Sequence, residues 1–583
     1  MIQSIYSSEL VVWALRENNI LLSRLLLLTV STIVLIIIII FIYGAYVGID
    51  FTDEGYYLLM SAYPCEVKSS MTLYYVISSI FYQIFNNNLP LYRMFSFLLY
   101  FLVSLWFSYE SIRFILNTQL NKRDFVVYSA IPLISGLFIF LLPVALTYNS
   151  LTNLSVMLTG ALMIYSLRLN GKISKILLFY CIGIFVGSCL LLKFTMFFPL
   201  FILSFIFIYR FHREDIKTKY CFALGILTIV IIILLNENII SSFKYGLNSL
   251  KVMDSNHGMN LLILYVKQLF DLSIAVAFRL LLASPFFLGW YIYKRKCVLY
   301  LLGFLIGTFL PIVPELYGAE RFLQISSICY FWLISILVHR LLAGYKFTVS
   351  LPFIWTLIYL VLPYLVSIGS NNKIYIQSLL FLTPTMIILS ISLYLFNDAK
   401  IRNYMILIVI SVIGFNVSYE QLIIPYRTAD KIHNLIKFQS SHGSIYINNN
   451  VYVYLQQTKY ILNKCNFKNG DNIIALYDLP GLVYALNGRS YSCPWYFGLR
   501  YHGANDLVDY CLGLYSGGLL ERSYLILNND VNFKEFYRVL AKHGASINNY
   551  KYCGSVKSTV VNGMSLSMKD IQIYAPINNA PHH

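Results

Sequence analysis

The chain has 583 residues, of which 58% are hydrophobic and 12% charged, with a mean hydropathy of +0.68. Those proportions exclude a soluble globular domain of ordinary composition and point to a membrane protein of many spans. The net charge of +17 does not indicate nucleic acid, because Lys and Arg sit at the ends of apolar runs rather than in basic blocks interleaved with polar sequence.

In chain order, residues 1–24 read as an amphipathic surface segment, with Val11, Val12, Trp13 and Leu15 followed by Arg16, Asn18 and Asn19. Leu25 to Val47 is long enough to span a bilayer and no Ala-x-Ala-like cleavage site follows, so it is expected to stay as the first helix. Further spans are predicted near residues 105, 135, 160, 183, 203, 228, 285, 307, 330, 358, 385 and 410, about thirteen in all. With the N-terminus inside, the inner connections carry nineteen Lys and Arg residues and the outer ones seven, which sets an N-in, C-out orientation.

Directly after the first span comes Asp50-Phe51-Thr52-Asp53-Glu54-Gly55-Tyr56-Tyr57. Carboxylates beside hydrocarbon lose hydration, so such a group is solvated, paired or used. The competing reading is a helix start, which Thr-Asp-Glu also suits. Residues 48–92 are broken by Pro64, Pro90 and Asn86-Asn87-Asn88 and are predicted to form interfacial helices on the outer face. A second outer segment, residues 236–275, is predicted as a polar loop carrying Lys244, Lys251, Asp254 and His257, followed by an interfacial helix.

Hydropathy falls from about residue 421. Strand-like pieces at 444–447, 472–477 and 523–527 alternate with helical ones such as 532–543, which predicts a C-terminal extracytoplasmic α/β domain over 421–583 beside a membrane domain over 1–420. Cys465, Cys493, Cys511 and Cys553 lie within it, an even number on the oxidising side, so two disulfides in any of three pairings are expected. Trp495, Tyr496, Phe497 and Tyr501 would suit either sugar stacking or a core.

The acidic pair after the first span, Pro90-Leu91-Tyr92-Arg93 before the second, Leu192-Lys193-Phe194-Thr195 and Tyr317-Gly318-Ala319-Glu320-Arg321-Phe322 together resemble the GT-C superfamily of membrane glycosyltransferases. The layout is similar to the branch of protein O-mannosyltransferases and lipid A aminoarabinose transferases. The resemblance implies inverting transfer of a sugar from a polyprenyl-phosphate donor to lipopolysaccharide, O-antigen or another envelope glycan, less readily to protein, on the outer face of the bacterial inner membrane. Several relatives carry a second acidic residue between the third and fourth spans, where this sequence reads Thr147-Tyr148-Asn149-Ser150. The resemblance therefore leaves a divalent metal open, with His257 as its candidate ligand.

The chemistry asks for the same residue types. An acceptor hydroxyl or amine attacking an anomeric carbon needs a base, and the departing lipid phosphate needs cations. Asp53 is assigned as the base, with Glu54 to orient the acceptor or place a cation. Lys193 and Arg321, then Arg93, are assigned to the phosphate. Each could instead be structural: Arg321 pairing with Glu320 or Glu315, Lys193 reaching to headgroups, Arg93 anchoring the interfacial helices. The alternative functions are a polysaccharide polymerase or ligase using pyrophosphate-linked substrate, and a lipid-linked sugar transporter or flippase. The absence of an internal repeat and the placement of charge at span ends count against the second.

Overall fold

The structure is a computed structural model, and it describes residues 2–66, 72–117, 119–141, 145–213, 215–253, 257–293, 297–309, 319–342, 351–368, 373–396, 398–422, 434–493, 504–515, 518–557 and 570–577. The chain begins with a single 44-residue helix, α1 (Ile2–Ala45). Residues 1–24 are thus not a segment separate from the first span, since neither Gly nor Pro interrupts the run before Gly44. Two short helices follow, α2 (Asp53–Ala62) and α3 (Tyr74–Ile84), where interfacial helices were expected. Then come α4 (Leu89–Leu116), α5 (Lys122–Gly136), α6 (Tyr148–Ser166), α7 (Lys172–Leu192), α8 (Phe194–Phe211) and α9 (Ile216–Leu235).

Residues 236–275 differ from expectation. In place of a polar loop there is a helix, α10 (Glu237–Met253), and α11 (His257–Ile292) runs as one helix through the rest of the segment and the following span. Apolar residues recurring around Ile239, Ile240 and Phe243 give α10 an amphipathic face that the polar residues between them conceal in the sequence. The bundle continues with α12 (Cys297–Phe309), α13 (Ala319–Leu342), α14 (Leu351–Ser367), α15 (Ile374–Leu379), α16 (Thr383–Tyr394) and α17 (Ala399–Leu422).

Nine helices among the described residues are long and apolar enough to cross a membrane, and the apolar parts of α12, α14 and α16 are shorter. The segment predicted near residue 160 is α6, whose Asn149, Ser150, Thr152, Asn153, Ser155 and Thr159 are all buried, as befits a more polar helix inside the bundle. Leu28, Leu35, Leu102, Ile202 and Leu281 project from the bundle as exposed apolar side chains, the surface that lipid requires. The chain is a multi-pass membrane protein.

Backbones meet where side chains are smallest. A Cβ on Gly183 of α7 would lie 2.2 Å from the Phe222 carbonyl of α9, and one on Gly225 2.2 Å from that of Tyr180.

After α17 the chain forms β1 (Leu435–Ser440) and β2 (Gly443–Asn448), an antiparallel pair. Then follow α18 (Asn449–Lys464), β3 (Ile473–Leu476), α19 (Pro480–Ala485), α20 (Ala504–Leu512), β4 (Tyr524–Asn528), α21 (Phe533–Lys542), β5 (Tyr550–Val556) and β6 (Ile571–Pro576). The second sheet has the order β3-β4-β6-β5, with β3 and β4 parallel and the other pairs antiparallel. Asn448 and Asn532 cap α18 and α21 through their side-chain oxygens. The expected strands at 444–447, 472–477 and 523–527 are β2, β3 and β4, and the expected helix at 532–543 is α21. The disulfides are Cys465–Cys553, tying α18 to β5, and Cys493–Cys511, tying the segment after α19 to α20.

Candidate active site

The connection from α1 to α2 places the acidic residues. Asp50 is fully buried and caps α2: one carboxylate oxygen accepts from the Thr52 amide and hydroxyl, both at 3.0 Å, and the other from the Glu54 amide at 2.7 Å. Burial first and then the charge of Asp53 push its carboxyl up to about 8, against the pull of those donors. Asp53 and Glu54 occupy the first turn of α2, where a helix favours negative charge. Their fates differ. Asp53 is half-buried at the edge of the site, whereas Glu54 is fully enclosed.

Glu54 belongs to Arg93. The guanidinium Nε and Nη2 donate to its two oxygens at 2.8 and 2.5 Å, Nη1 donates to the Ala45 carbonyl at 3.1 Å, and Nη2 donates also to that of Gly48 at 3.0 Å. Arg93, itself fully buried, thus staples the end of α1 and the start of α2 to the start of α4. This corrects its assignment to the phosphate, because protein oxygens enclose the whole fork. Glu54 is thus held in an ion pair with Arg93, whereas Asp53 remains half-buried.

The C-terminal α/β domain clamps this connection. Gly48 N–H donates to the Tyr446 carbonyl and Tyr446 N–H to that of Tyr46, both at 2.8 Å, so β2 runs beside the end of the first span. Gly481, in the first turn of α19, donates its N–H to the Phe51 carbonyl at 2.8 Å. A Cβ on Gly481 would stand 2.2 Å from the Asp50 carbonyl oxygen, and one on Gly55 2.1 Å from Gly481 Cα, so α2 and α19 touch through their backbones and only glycine fits. The Tyr82 hydroxyl of α3 meets the Tyr484 hydroxyl at 2.5 Å and His442 Nδ1 at 3.1 Å, with the His442 ring stacked on Tyr484 at 4.2 Å. Burial pulls the His442 imidazole down to about 4 and keeps it neutral in this contact.

Lys193 joins α7 to α8 at the same end of the bundle: Leu73, just before α3, donates its amide to the Leu191 carbonyl at 2.8 Å. The Lys193 side chain is buried and its Nζ donates to the Val366 carbonyl at 2.5 Å. Burial pulls the ammonium down to about 7. Nζ also lies 6.0 Å from the centre of the Tyr148 ring. Tyr148 in turn stands 6.2 Å from Tyr57, and Tyr57 lies 5.1 Å from Tyr74 and 5.2 Å from Tyr56, measured between ring centres. Burial, then Tyr148, then the Asp53 carboxylate raise the Tyr57 phenol well above its usual range, so its hydroxyl senses both. Packed tyrosine rings therefore run from Lys193 to Tyr57, whose phenol lies within electrostatic range of Asp53.

Of the other predicted site residues, Arg321 begins the third residue of α13 and His257 is the first residue of α11, but their side chains lie outside the described residues. So do Trp495, Tyr496, Phe497 and Tyr501. The described residues contain no cluster of three or more His, Cys, Asp or Glu able to hold a metal. Of the acidic residues of this connection, Glu54 is paired with Arg93 and Asp50 accepts from the Thr52 and Glu54 amides. Arg279 was not among the predicted site residues. It is buried in α11 and donates to Ser327, Gln324 and the carbonyls of Gly307 and Thr308, so it holds α11 to α12 and α13.

No protein-family model matches the sequence, and no curated protein sequence matches it significantly. Solved structures do. The oligosaccharyltransferase of Archaeoglobus fulgidus, in complex with Zn and sulfate, is 12% identical over 89% of this chain and 71% of that one, with a TM-score of 0.42. ArnT from Cupriavidus metallidurans bound to undecaprenyl phosphate is 11% identical over 95% of this chain and 99% of that one, at 0.40. The arabinofuranosyltransferase AftD from Mycobacteria is 11% identical over 96% of this chain at 0.40, and this chain spans 41% of its length.

Proposed function

We propose that the chain is a GT-C-like glycosyltransferase that moves a sugar from a polyprenyl-phosphate donor to an envelope glycan or lipid at the outer face of the plasma membrane. In this reading the N-terminus is inside and the domain over 421–583 is outside, as the distribution of Lys and Arg requires. One observation carries it: a half-buried carboxylate, Asp53, and a buried ammonium, Lys193, lie at the same end of an apolar bundle and are linked by tyrosines.

Asp53 takes the proton of the acceptor hydroxyl or amine as that atom bonds to the anomeric carbon. The bond from that carbon to the phosphate oxygen breaks, its electron pair stays with the phosphate, and configuration inverts. Lys193 holds the growing negative charge from a site where low exposure strengthens the attraction, and Arg321 is assigned to the same phosphate. Glu54, neutralised by Arg93, anchors the backbone that aims Asp53.

The test is incubation of the purified protein in lipid nanodiscs with a panel of undecaprenyl-phosphate monosaccharides and a host membrane extract as acceptor. Protein-dependent release of undecaprenyl phosphate from one donor is expected. Inertness toward every donor, with consumption of a pyrophosphate-linked glycan instead, would favour the polymerase or ligase.

A further inference from the structure

Tyr148 stands where the sequence departs from the acidic pattern of the family it resembles, between the third and fourth expected spans. It is the first residue of α6, and a capping box fixes it: Ser150 N–H donates to the Thr147 hydroxyl oxygen at 3.1 Å, and Thr147 N–H donates to that of Ser150 at 2.8 Å. Around it Ala145, Leu146, Thr147, Asn149, Ser150 and Leu151 are all buried, and Tyr148 is the one residue of this turn that is partly exposed. Lys193 Nζ lies 6.0 Å from the centre of the Tyr148 ring, and the Tyr57 ring lies 6.2 Å from it.

We propose that Tyr148 contacts the sugar of the donor, its ring being the surface on which the glycosyl group lies between Lys193 and Asp53. The inference rests on the transferase reading and gives a substrate contact to a residue that the reading uses only as a link between Asp53 and Lys193. A lipid tail would call for aliphatic walls, whereas the residues between the ammonium and the carboxylate are tyrosines. A monosaccharide matches that wall, because its C–H face packs on an aromatic ring while its hydroxyls bond to phenols. A phosphate held by Lys193 would place the attached sugar toward Tyr148, with the anomeric carbon facing the Asp53 side. A residue that merely props α6 against α2 would instead affect every ligand of the site alike.

The experiment measures binding to the full chain in nanodiscs, with bare undecaprenyl phosphate and undecaprenyl-phosphate glucose, mannose, galactose and 4-amino-arabinose as probes. The unaltered protein should bind one sugar-linked probe more tightly than the bare lipid phosphate. Tyr148→Ala and Tyr148→Leu should each weaken that probe by about three- to tenfold, the value of an aromatic contact, and weaken the bare lipid phosphate by less. Tyr148→Phe, which keeps the ring, should retain the preference. Equal weakening of both ligands, no weakening of either, or loss of the preference in Tyr148→Phe would overturn the assignment. Binding of none of the probes by the unaltered protein would overturn the transferase reading, and this inference with it.

Discussion

Arg93→Met removes a fully buried guanidinium that makes four hydrogen bonds: two to Glu54 and one each to the Ala45 and Gly48 carbonyls. Removing one member of a buried ion pair costs about 3–5 kcal/mol, because the charge left behind has lost its compensation. The two carbonyls, which end the first span, lose their donors as well. A surface pair would give only about 0–1 kcal/mol. Unfolding free energy from SDS titration in mixed micelles should therefore fall by several kcal/mol in Arg93→Met. It should recover much of that loss in the double variant with Glu54→Leu, since no uncompensated charge then remains. A fall in Arg93→Met below about 1 kcal/mol, or strict additivity in the double variant, would refute the view that Arg93 is a structural staple.

Three further outcomes follow from the same geometry. Lys193 must be charged to hold a phosphate and burial places its transition at about 7, so donor affinity should weaken as pH rises through that value; Lys193→Arg should remove the dependence, and an identical slope in the variant would contradict it. Gly481→Ala drives a Cβ to 2.2 Å from the Asp50 carbonyl, a backbone atom that cannot swing aside, so stability should drop by about 1–3 kcal/mol and transfer with it. Unchanged melting and turnover would mean that the clamp on α2 does not position the site. A reporter active only in the cytoplasm, fused after Asn579, should be silent, and a bright signal would reverse the orientation.

Long apolar runs were legible because a span needs about 20 apolar residues and nothing else in a chain resembles that. Three strands of the C-terminal domain, β2, β3 and β4, were legible from their β-branched and aromatic runs, whereas β1, β5 and β6 were not. The continuity of α1 and the helix α10 were less so, since polar residues at the membrane face read as loops until packing assigns them a side. Asp53 and Lys193 could be picked out as charges at span ends, but the division of labour between Asp53 and Glu54 could not. It depends on Arg93, 39 positions away from Glu54, closing on one carboxylate and not the other. Asp50 was given no role of its own, and Tyr148 was noted only as part of a departure from an acidic pattern. Their surroundings come from Gly481 pressing on the α2 connection and from Lys193 arriving beside α6, contacts between segments far apart in sequence.

The most direct measurement is the transfer rate of Asp53→Asn. The amide is nearly the size of the carboxylate and hydrogen-bonds, yet it can neither accept the acceptor's proton nor supply charge. The account predicts a protein that stays folded, still binds the donor that the unaltered protein uses, and loses about a hundredfold to ten-thousandfold in turnover. Transfer by Asp53→Asn at the unaltered rate would show that Asp53 only starts a helix, and that the base lies elsewhere.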